Sequence, residues 1–259
     1  MNFMKMNDKI KYMFLSLFGE RIFSKIRAVY WAERLKKNKF YEKEVALLPT
    51  FVHPGDVCID IGANFGQYTY PLSKLVGPTG RVFSFEPLSY NFEILKNIVK
   101  KLKLVNVEIE KLALGNENGE TEIITPVNNW GVLNIAESYL GNQRENKNEE
   151  REMIRIATLD RLRFTHPLWN KVKFVKCDTE GAELMVFKGG KDFLRSVHPT
   201  ILCEIEERHT NRYNYTPEEL VDFLKGFDYE IFNFISGELV PIKKVQKTSM
   251  NYIFIYKNF

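Results

Sequence analysis

Acidic side chains stand at or near the ends of four apolar runs that are typical of buried strands. They are Asp60, Glu86, Asp178 and Glu204. In open α/β sheets the carboxyl ends of parallel strands form the ligand-binding edge, so we expect these carboxylates to face one cleft. A carboxylate in such a cleft can attract a cation, accept hydrogen bonds from hydroxyl groups or take up a proton. The pattern therefore predicts a ligand site with acid–base chemistry.

The first of these acids precedes a glycine turn in the stretch VCIDIGANFGQYT, residues 57–69. Gly62 and Gly66 allow the chain to turn and to approach a ligand closely. A dinucleotide-binding turn usually has the spacing GxGxxG, which lets a pyrophosphate sit at the helix N-terminus. Here Asn64 stands where the second glycine would be. Asp60 would repel a pyrophosphate but attract the cationic amino group of a methionine-type ligand.

Glu86 ends the next predicted strand, 20 residues after Gly66. A carboxylate at this position can accept hydrogen bonds from the hydroxyl groups of a ribose. NAD and S-adenosylmethionine share that requirement, so Glu86 alone does not distinguish them. Combined with Asp60 and the glycine turn, Glu86 favours S-adenosylmethionine. An NAD-dependent oxidoreductase and a tight turn without a ligand are the alternatives.

A second acidic cluster lies in the segment DTEGAE, residues 178–183, where a predicted strand meets a helix. Asp178 is the first candidate for a general base, with Glu204 and His209 behind it, the histidine in an exposed loop. Glu180 and Glu183 lie in or near the first helical turn, where acids also complement the helix dipole. The oxygen atoms of Asp178, Glu180 and Glu204 could also hold Mg²⁺, and a metal is the less favoured alternative.

Strands alternate with helices from about residue 51 onward. This order predicts an α/β fold with a doubly wound, mostly parallel sheet and helices on both faces. The last two predicted strands, 229–234 and 252–256, have no helix between them, so we expect them to pair antiparallel at the sheet edge. A hairpin is expected around residues 116–119, and the polar segment 141–152 is expected to be an exposed loop.

Two helix starts can be read from the sequence. Ser89 can cap the helix that follows Glu86. Thr216-Pro217-Glu218-Glu219 combines a capping residue, a proline at the first helical position and a glutamate three residues after the cap.

The chain is expected to divide into a basic amphipathic helical extension, residues 1–49, and a main domain, residues 50–259. Residues 1–40 carry ten basic and three acidic side chains, although the whole chain has a net charge of only +4. We expect the extension to pack on the main domain, and contact with an anionic membrane surface is the alternative. Nucleic acid is not an expected partner, because no basic stripe runs through the rest of the chain.

The cysteines indicate the cellular compartment. Cys58, Cys177 and Cys203 each lie in an apolar run and form no CxxC pair, which favours reduced core thiols. The early apolar run, residues 12–18, is too short to span a bilayer, which takes ~20 residues. We therefore expect a cytoplasmic protein, or one bound peripherally to the inner face of a membrane.

Six segments together resemble the FkbM family of S-adenosylmethionine-dependent methyltransferases. They occur in the family's order and are IDIGANFGQYT (59–69), FSFEP (83–87), ALGNENGE (113–120), TLDRL (158–162), VKCDTEGAELMVFKGG (175–190) and PTILCEIEE (199–207). The DTEGAE piece after a VKC strand is the most specific, because generic methyltransferases do not carry it. The resemblance covers roughly residues 50–256, so it says nothing about the basic extension.

The resemblance implies a Rossmann-like sheet of seven strands with an antiparallel edge strand. It also implies methyl transfer, usually to a hydroxyl group, and often on sugars, glycan precursors or macrolide-type natural products. By this likeness Glu86 would bind the ribose, Ala113 and Leu114 would lie near the adenine, and Asp178 would face the same cleft. The methionine half of the cofactor would lie against Asp60, Gly62, Ala63, Asn64 and Gly66.

These observations predict an S-adenosylmethionine-dependent O-methyltransferase with a small-molecule or saccharide acceptor. The alternatives are the NAD-dependent oxidoreductase and a non-catalytic binding module with the same fold. Five aromatic residues in predicted loops could stack on a sugar or simply pack, namely Trp130, Tyr139, Trp169, Tyr213 and Tyr215. The sequence leaves the oligomeric state open.

Overall fold

The computed structural model describes residues 8–37, 42–128, 133–134, 137–141, 148–246 and 248–257. Its main sheet has eight strands in the order β11-β10-β12-β9-β8-β1-β2-β3. The five strands from β9 to β3 run parallel, and β12, β10 and β11 add to them antiparallel. The strands are β1 (Val57–Ile61), β2 (Arg81–Phe85), β3 (Val107–Glu110), β8 (Val172–Cys177), β9 (Thr200–Glu204), β10 (Tyr229–Ile235), β11 (Glu238–Pro241) and β12 (Asn251–Tyr256).

Helices cover both faces of this sheet, as the alternating pattern predicts. The helices are α1 (Asp8–Lys36), α2 (Leu48–Phe51), α3 (Thr69–Val76), α4 (Ser89–Leu102), α5 (Leu159–Thr165), α6 (Glu183–Lys188), α7 (Lys191–Val197), α8 (Glu207–Thr210) and α9 (Pro217–Lys225). Side chains of α2 and α3 pack on one face, and side chains of α5, α6, α7 and α9 pack on the other. The doubly wound α/β fold is therefore confirmed.

The main sheet has one strand more than the predicted seven. A two-residue loop, Ser236-Gly237, joins β10 to β11, and both loop residues have positive φ angles of 53° and 93°. Such a loop matches the twist of an antiparallel pair, so β11 folds back onto β10. The predicted antiparallel pairing of β10 with β12 is confirmed. However, β12 lies between β9 and β10, and the sheet edge is β11.

A second sheet of four strands, in the order β4-β7-β5-β6, stands beside the main one. Its strands are β4 (Ala113–Leu114), β5 (Gly119–Pro126), β6 (Tyr139–Leu140) and β7 (Glu149–Ala157). The predicted hairpin around residues 116–119 is wrong, because β7 inserts between β4 and β5 and pairs with both. The predicted loop over residues 141–152 is wrong from Glu149 onward, where β7 begins. Residues 142–147 lie outside the described part.

Helix α1 of the extension is kinked at Gly19 (φ 70°). The part of α1 after this kink packs on the main domain. Ala28 and Leu35 are buried against residues of α4. The rings of Trp31 and Phe65 lie 5.3 Å apart. This packing gives no support to the membrane-surface alternative. The division of the chain at residue 49 stays a prediction.

No helix among the described residues is both long and apolar enough to cross a membrane. The three cysteines are buried free thiols, as predicted.

The helix start at Thr216 is confirmed, and the one at Ser89 needs a correction. Thr216 and Glu219 form a complete capping box at α9. Ser89 is instead the first residue of α4 and does not cap it through its side chain. The carboxylate of Glu152, on β7, accepts the backbone N–H of Ser89 at 3.1 Å. A distant strand therefore supplies the acceptor that the local sequence was expected to provide.

Candidate active site

The glycine turn after β1 is joined to both neighbouring strands. The N–H groups of Gly62 and Ala63 donate to the carbonyl oxygen of Phe85 at 3.0 and 2.9 Å. The N–H of Asp178 donates to the carbonyl oxygen of Ile61 at 3.1 Å. Gly62 has a φ of +76°, and a Cβ atom there would lie 1.7 Å from the Asp178 carbonyl oxygen. Only glycine fits this position, so the ends of β1, β2 and β8 meet at a point that requires it.

Glu86 fixes the conformation of the turn from the end of β2. One carboxylate oxygen accepts the N–H of Asn64 at 2.8 Å, and the other accepts the N–H of Leu88 at 3.0 Å. Burial raises the pKa of Glu86 to about 7, against the opposing effect of these backbone donors and of the Asn91 side chain. Each carboxylate oxygen can accept two hydrogen bonds, so Glu86 keeps acceptor capacity for a ligand hydroxyl.

A cleft with about 650 Å³ of empty space opens beside this turn, between the two sheets. Six of the predicted site residues line it: Gly62, Asn64, Glu86, Ala113, Leu114 and Asp178. The second sheet contributes a wall that the sequence did not predict, formed by Ile123, Ser138, Tyr139 and Leu140. The cleft therefore unites the glycine turn, the ribose-type acid and the DTEGAE segment.

Five other predicted residues are not in the lining: Asp60, Ala63, Gly66, Glu204 and His209. Asp60 is buried and accepts a hydrogen bond from the Thr69 hydroxyl at 2.6 Å. Burial raises its pKa to about 6. Its carboxylate therefore holds the first residue of α3 through this hydrogen bond. The interaction of Asp60 with a cationic ligand group stays a prediction. Gly66 donates its N–H to the carbonyl oxygen of Ala63 at 2.7 Å and so closes the turn.

Asp178 and Glu204 lie at the ends of the neighbouring strands β8 and β9. The Asp178 side chain is 28% exposed and faces the cleft. Burial and then the charge of Asp178 raise the pKa of Glu204, which favours its protonated form. Lys176, which sequence reasoning did not select, lies behind them with its Nζ 3.7 Å from Asp178 Oδ2.

The two glutamates of the DTEGAE segment have different surroundings. Glu183 is buried, and its Oε1 accepts the backbone N–H groups of Thr179 and Gly181 at 2.8 and 3.2 Å. Glu183 therefore folds the loop. Glu180 lines the cleft with a left-handed backbone (φ 56°), and burial followed by the charge of Asp178 raises its pKa to about 8.

His209 is not in an exposed loop, as the sequence predicted. It lies in α8 and is 4% exposed. Its Nδ1 lies 3.0 Å from Glu180 Oε2. Burial and then the charge of Arg208 lower its pKa, so the imidazole is neutral near pH 7. The histidine lies behind Glu180 and outside the lining of the cleft.

The described parts of the chain do not form the Mg²⁺ site that the sequence suggested as an alternative. No group of three acidic, histidine or cysteine side chains there could hold a metal ion. The physical reason lies in the partners of the three acids that the sequence suggested. Glu180 turns toward His209, and the Lys176 ammonium stands beside Asp178 where a cation would be expected.

The aromatic residues proposed for stacking on a sugar mostly pack. Trp169 and Tyr215 are buried in the main core, and the Tyr215 hydroxyl donates to the carbonyl oxygen of Gly181 at 2.7 Å. Tyr139 lines the cleft but is only 5% exposed. Tyr213 accepts the N–H of Leu140 at 2.8 Å. Trp130 lies outside the described residues.

Two buried side-chain oxygen atoms of the cleft can still accept a hydrogen bond. Within the described residues, Oδ1 of Asn64 and Oδ1 of Asn91 have no hydrogen-bond partner. Both residues line the cleft beside Glu86. Buried polar atoms are normally paired, so these oxygens fit a ligand with amino and hydroxyl donors. Asn91 was missed by sequence reasoning, and its position in the first turn of the helix after Glu86 is the signal that could have identified it.

Solved structures with a similar fold are methyltransferases of low sequence identity. One is the methyltransferase FkbM from Methylobacillus flagellatus KT, with 13% identity, a TM-score of 0.48, and coverage of 89% of this chain and 59% of that one. A SAM-dependent O-methyltransferase from Thermotoga maritima has 15% identity, a TM-score of 0.44, and coverage of 86% and 69%. An rRNA methylase from Streptococcus thermophilus has 8% identity, a TM-score of 0.44, and coverage of 83% and 96%.

No curated protein sequence matches the chain at a significant level. The profile of the methyltransferase FkbM domain matches residues 60–231, which include the glycine turn, Glu86, the second sheet and the DTEGAE segment. The residues that line the cleft fit the cofactor of that family, because Glu86 keeps acceptor capacity and the Oδ1 atoms of Asn64 and Asn91 beside it are unpaired among the described residues. The chain therefore belongs to the FkbM methyltransferase family and is an S-adenosylmethionine-dependent methyltransferase.

Proposed function

We propose that this enzyme methylates a hydroxyl oxygen on a sugar, a glycan precursor or a related natural product. The observation that carries the proposal is the Asp178 carboxylate, which lines the cofactor cleft at the carboxyl end of β8. A hydroxyl group is a poor nucleophile until its proton leaves, so an oxygen methyltransferase needs a base at this place.

S-adenosylmethionine supplies a methyl group on a sulfonium, which is already a good leaving group. The chain must then orient the acceptor and hold its proton. Gly62, Asn64 and Glu86 fix one side of the cleft, and the second sheet forms the opposite wall. Holding the reacting atoms in line can supply about 7–11 kcal/mol of barrier lowering. Asp178 takes the hydroxyl proton as the acceptor oxygen attacks.

Asp178 is favoured over the other two candidate bases by their surroundings. Glu204 has a raised pKa, so near neutral pH it already holds a proton and cannot accept another. His209 is neutral, but it is buried behind Glu180 and does not line the cleft. Asp178 is exposed to the cleft, and the Lys176 ammonium lies 3.7 Å from its Oδ2.

The saccharide class rests on the likeness to FkbM proteins. A direct test incubates the purified protein with S-adenosylmethionine and a panel of nucleotide sugars and lipid-linked saccharides. Formation of S-adenosylhomocysteine and mass spectra of the acceptors are the readouts. We expect turnover with a saccharide, and a loss of about 10²–10⁴-fold in Asp178→Asn, the usual worth of a general base.

The same assay includes total RNA, because one structure of similar fold is an rRNA methylase. Methylation of RNA with no saccharide turned over would overturn the acceptor class. Turnover of a saccharide by Asp178→Asn at the wild-type rate would overturn the role of Asp178. The exposed glutamate Glu238 gives the matched control, Glu238→Gln, which should retain full turnover.

A further inference from the structure

The ammonium of Lys176 is a deeply buried charged group behind Asp178, and its side chain is 1% exposed. Its Nζ lies 3.7 Å from Asp178 Oδ2, 3.4 Å from Asn251 Oδ1 and 5.0 Å from the centre of the Tyr68 ring. Removing an ammonium from water costs several kcal/mol unless charged and polar partners compensate for it. A lysine in this position therefore indicates a negative charge held next to it.

The strand register brings a second acid to the same place. In the parallel pair β8 and β9, Lys176 lies opposite Leu202 and Cys177 opposite Cys203, so Asp178 follows opposite Glu204. Asp178 and Glu204 are thus neighbours at the ends of two adjacent strands, which places two carboxyl groups side by side. Two carboxyl groups can share a hydrogen bond only if one of them carries a proton.

We propose that Lys176 is a positioning residue for a pair of carboxyl groups, Asp178 and Glu204, that hold one proton between them. Asp178 is the charged carboxylate, and Glu204 is the neutral acid. The inference deepens the proposed function, because it explains how Asp178 stays ready to take a proton. The charge arrangement itself requires no acceptor and can be tested without one. Glu204 then remains a hydrogen-bond donor at the end of β9.

The surrounding groups agree with this assignment. Burial lowers the pKa of Lys176, but the neighbouring carboxylates, Asp178 first, outweigh it and raise the pKa overall. Burial and the Asp178 charge raise the pKa of Glu204. The other titratable groups that act on Lys176, Asp178 or Glu204 are Glu42, Glu44, Asp60, Tyr68, Cys177, Glu180, Glu183, Cys203 and Glu206.

Two of these neighbours are already paired. Glu206 forms an ion pair with Arg208 at 2.7 Å, and Asp60 accepts the Thr69 hydroxyl. The Lys176 ammonium itself forms an ion pair with Asp178, with Nζ 3.7 Å from Oδ2.

Infrared difference spectra of the full chain near pH 7 test the protonation of Glu204. Wild type minus Glu204→Gln should show the loss of one protonated carboxyl band, and wild type minus Asp178→Asn should show the loss of a carboxylate band. If Glu204→Gln removes a carboxylate band instead, both acids are charged and the proposal is wrong. This comparison does not require any Lys176 variant to fold.

The pH dependence of S-adenosylmethionine binding tests the role of Lys176, measured by calorimetry on wild type, Lys176→Met and Lys176→Arg. Without the ammonium, Asp178 should take up a proton at a higher pH. S-adenosylmethionine carries a cationic sulfonium and ammonium group, so a charged Asp178 in the cleft favours its binding and a protonated Asp178 does not. The affinity of Lys176→Met should then fall by at most about tenfold further below wild type for each pH unit of acidification in that range. Lys176→Arg should follow the wild-type profile.

A purely structural lysine would give a different result, because its loss would weaken binding equally at every pH. A Lys176→Met profile parallel to the wild-type profile would overturn the proposal. Binding and infrared data are independent of the acceptor, so failure to find a methylated saccharide would not affect them. Circular dichroism of each variant checks that it is folded.

Discussion

The α-carbon of Gly62 faces the backbone of Asp178 so closely that a methyl group on the glycine would lie 1.7 Å from the Asp178 carbonyl oxygen. This contact joins the glycine turn after β1 to the DTEGAE segment after β8. The two stretches are more than a hundred residues apart in the sequence, and together they form one wall of the cleft. The glycine is therefore required by a tertiary contact as well as by its φ angle.

Gly62→Ala should destabilise the protein through both effects. A positive φ costs an alanine roughly 1–2 kcal/mol, and overpacking adds about 1–3 kcal/mol. Gly77→Ala is the matched control, since Gly77 also has a positive φ (64°) but no atom within 4 Å of an added Cβ. Denaturant unfolding should show the larger loss for Gly62→Ala. Equal losses in the two variants would show that the contact with Asp178 has no energetic effect.

Glu86→Gln should weaken cofactor binding. The new amide group would place N–H donors against the backbone N–H of Asn64 or Leu88, which the carboxylate now accepts. Hydrogen bonds to charged groups contribute about 1.5–3 kcal/mol, so affinity for S-adenosylmethionine should fall about 10- to 100-fold. Glu93→Gln, on the exposed side of α4, should bind like wild type in the same calorimetric titration. Wild-type affinity in Glu86→Gln would contradict the ribose role.

The parts of the site that local sequence determines were predicted well. A strand followed by glycines predicts the turn after β1, and an acid at the end of the next strand predicts that Glu86 lies beside that turn. Gly62, Asn64, Glu86 and Asp178 line the cleft for this reason. Ala113 and Leu114, which the family likeness indicated, line it as well. The alternation of strands and helices likewise predicts the doubly wound sheet.

The parts that depend on distant pairing were not predicted. The start of β7, residues 149–152, looked like part of a loop because it is polar, yet these residues pair with β5. Arg151 on β7 forms an ion pair with Glu122 on β5 at 2.7 Å. Lys176 looked like an ordinary strand residue. Its role depends on Glu204 and Asn251 of neighbouring strands, which no local pattern reveals.

Glu180 should make the stability of the protein depend on pH. Its pKa is raised to about 8 in the folded protein, from an ordinary value near 4.5. A raised carboxyl pKa stabilises the fold fully below the unfolded value, and this stabilisation is lost as pH rises through the folded value. Relative to Glu180→Gln, wild type should therefore lose up to about 1.4 kcal/mol of unfolding free energy per pH unit between about pH 5 and 8.

Other titrating groups are common to both proteins and cancel in that difference. A pH-independent difference between wild type and Glu180→Gln would show that Glu180 is charged in the folded protein.

The packing of α1 on α4 should contribute to stability. Trp31→Ala would remove the ring that contacts Phe65 and should lower the free energy of unfolding by about 2 kcal/mol, less than for a fully buried tryptophan. Ile22 on the same helix is 49% exposed, so Ile22→Ala should change the free energy of unfolding by less than about 0.5 kcal/mol. If both variants unfold like wild type, α1 is not part of the cooperative fold.

The central claim is that the cleft beside Gly62 and Glu86 binds S-adenosylmethionine. Calorimetric titration of the wild-type protein with S-adenosylmethionine, and separately with NAD, tests it most directly. We expect one molecule of S-adenosylmethionine to bind per chain, a lower affinity for it in Glu86→Gln, and no binding of NAD. Tight binding of NAD with no heat from S-adenosylmethionine would contradict it.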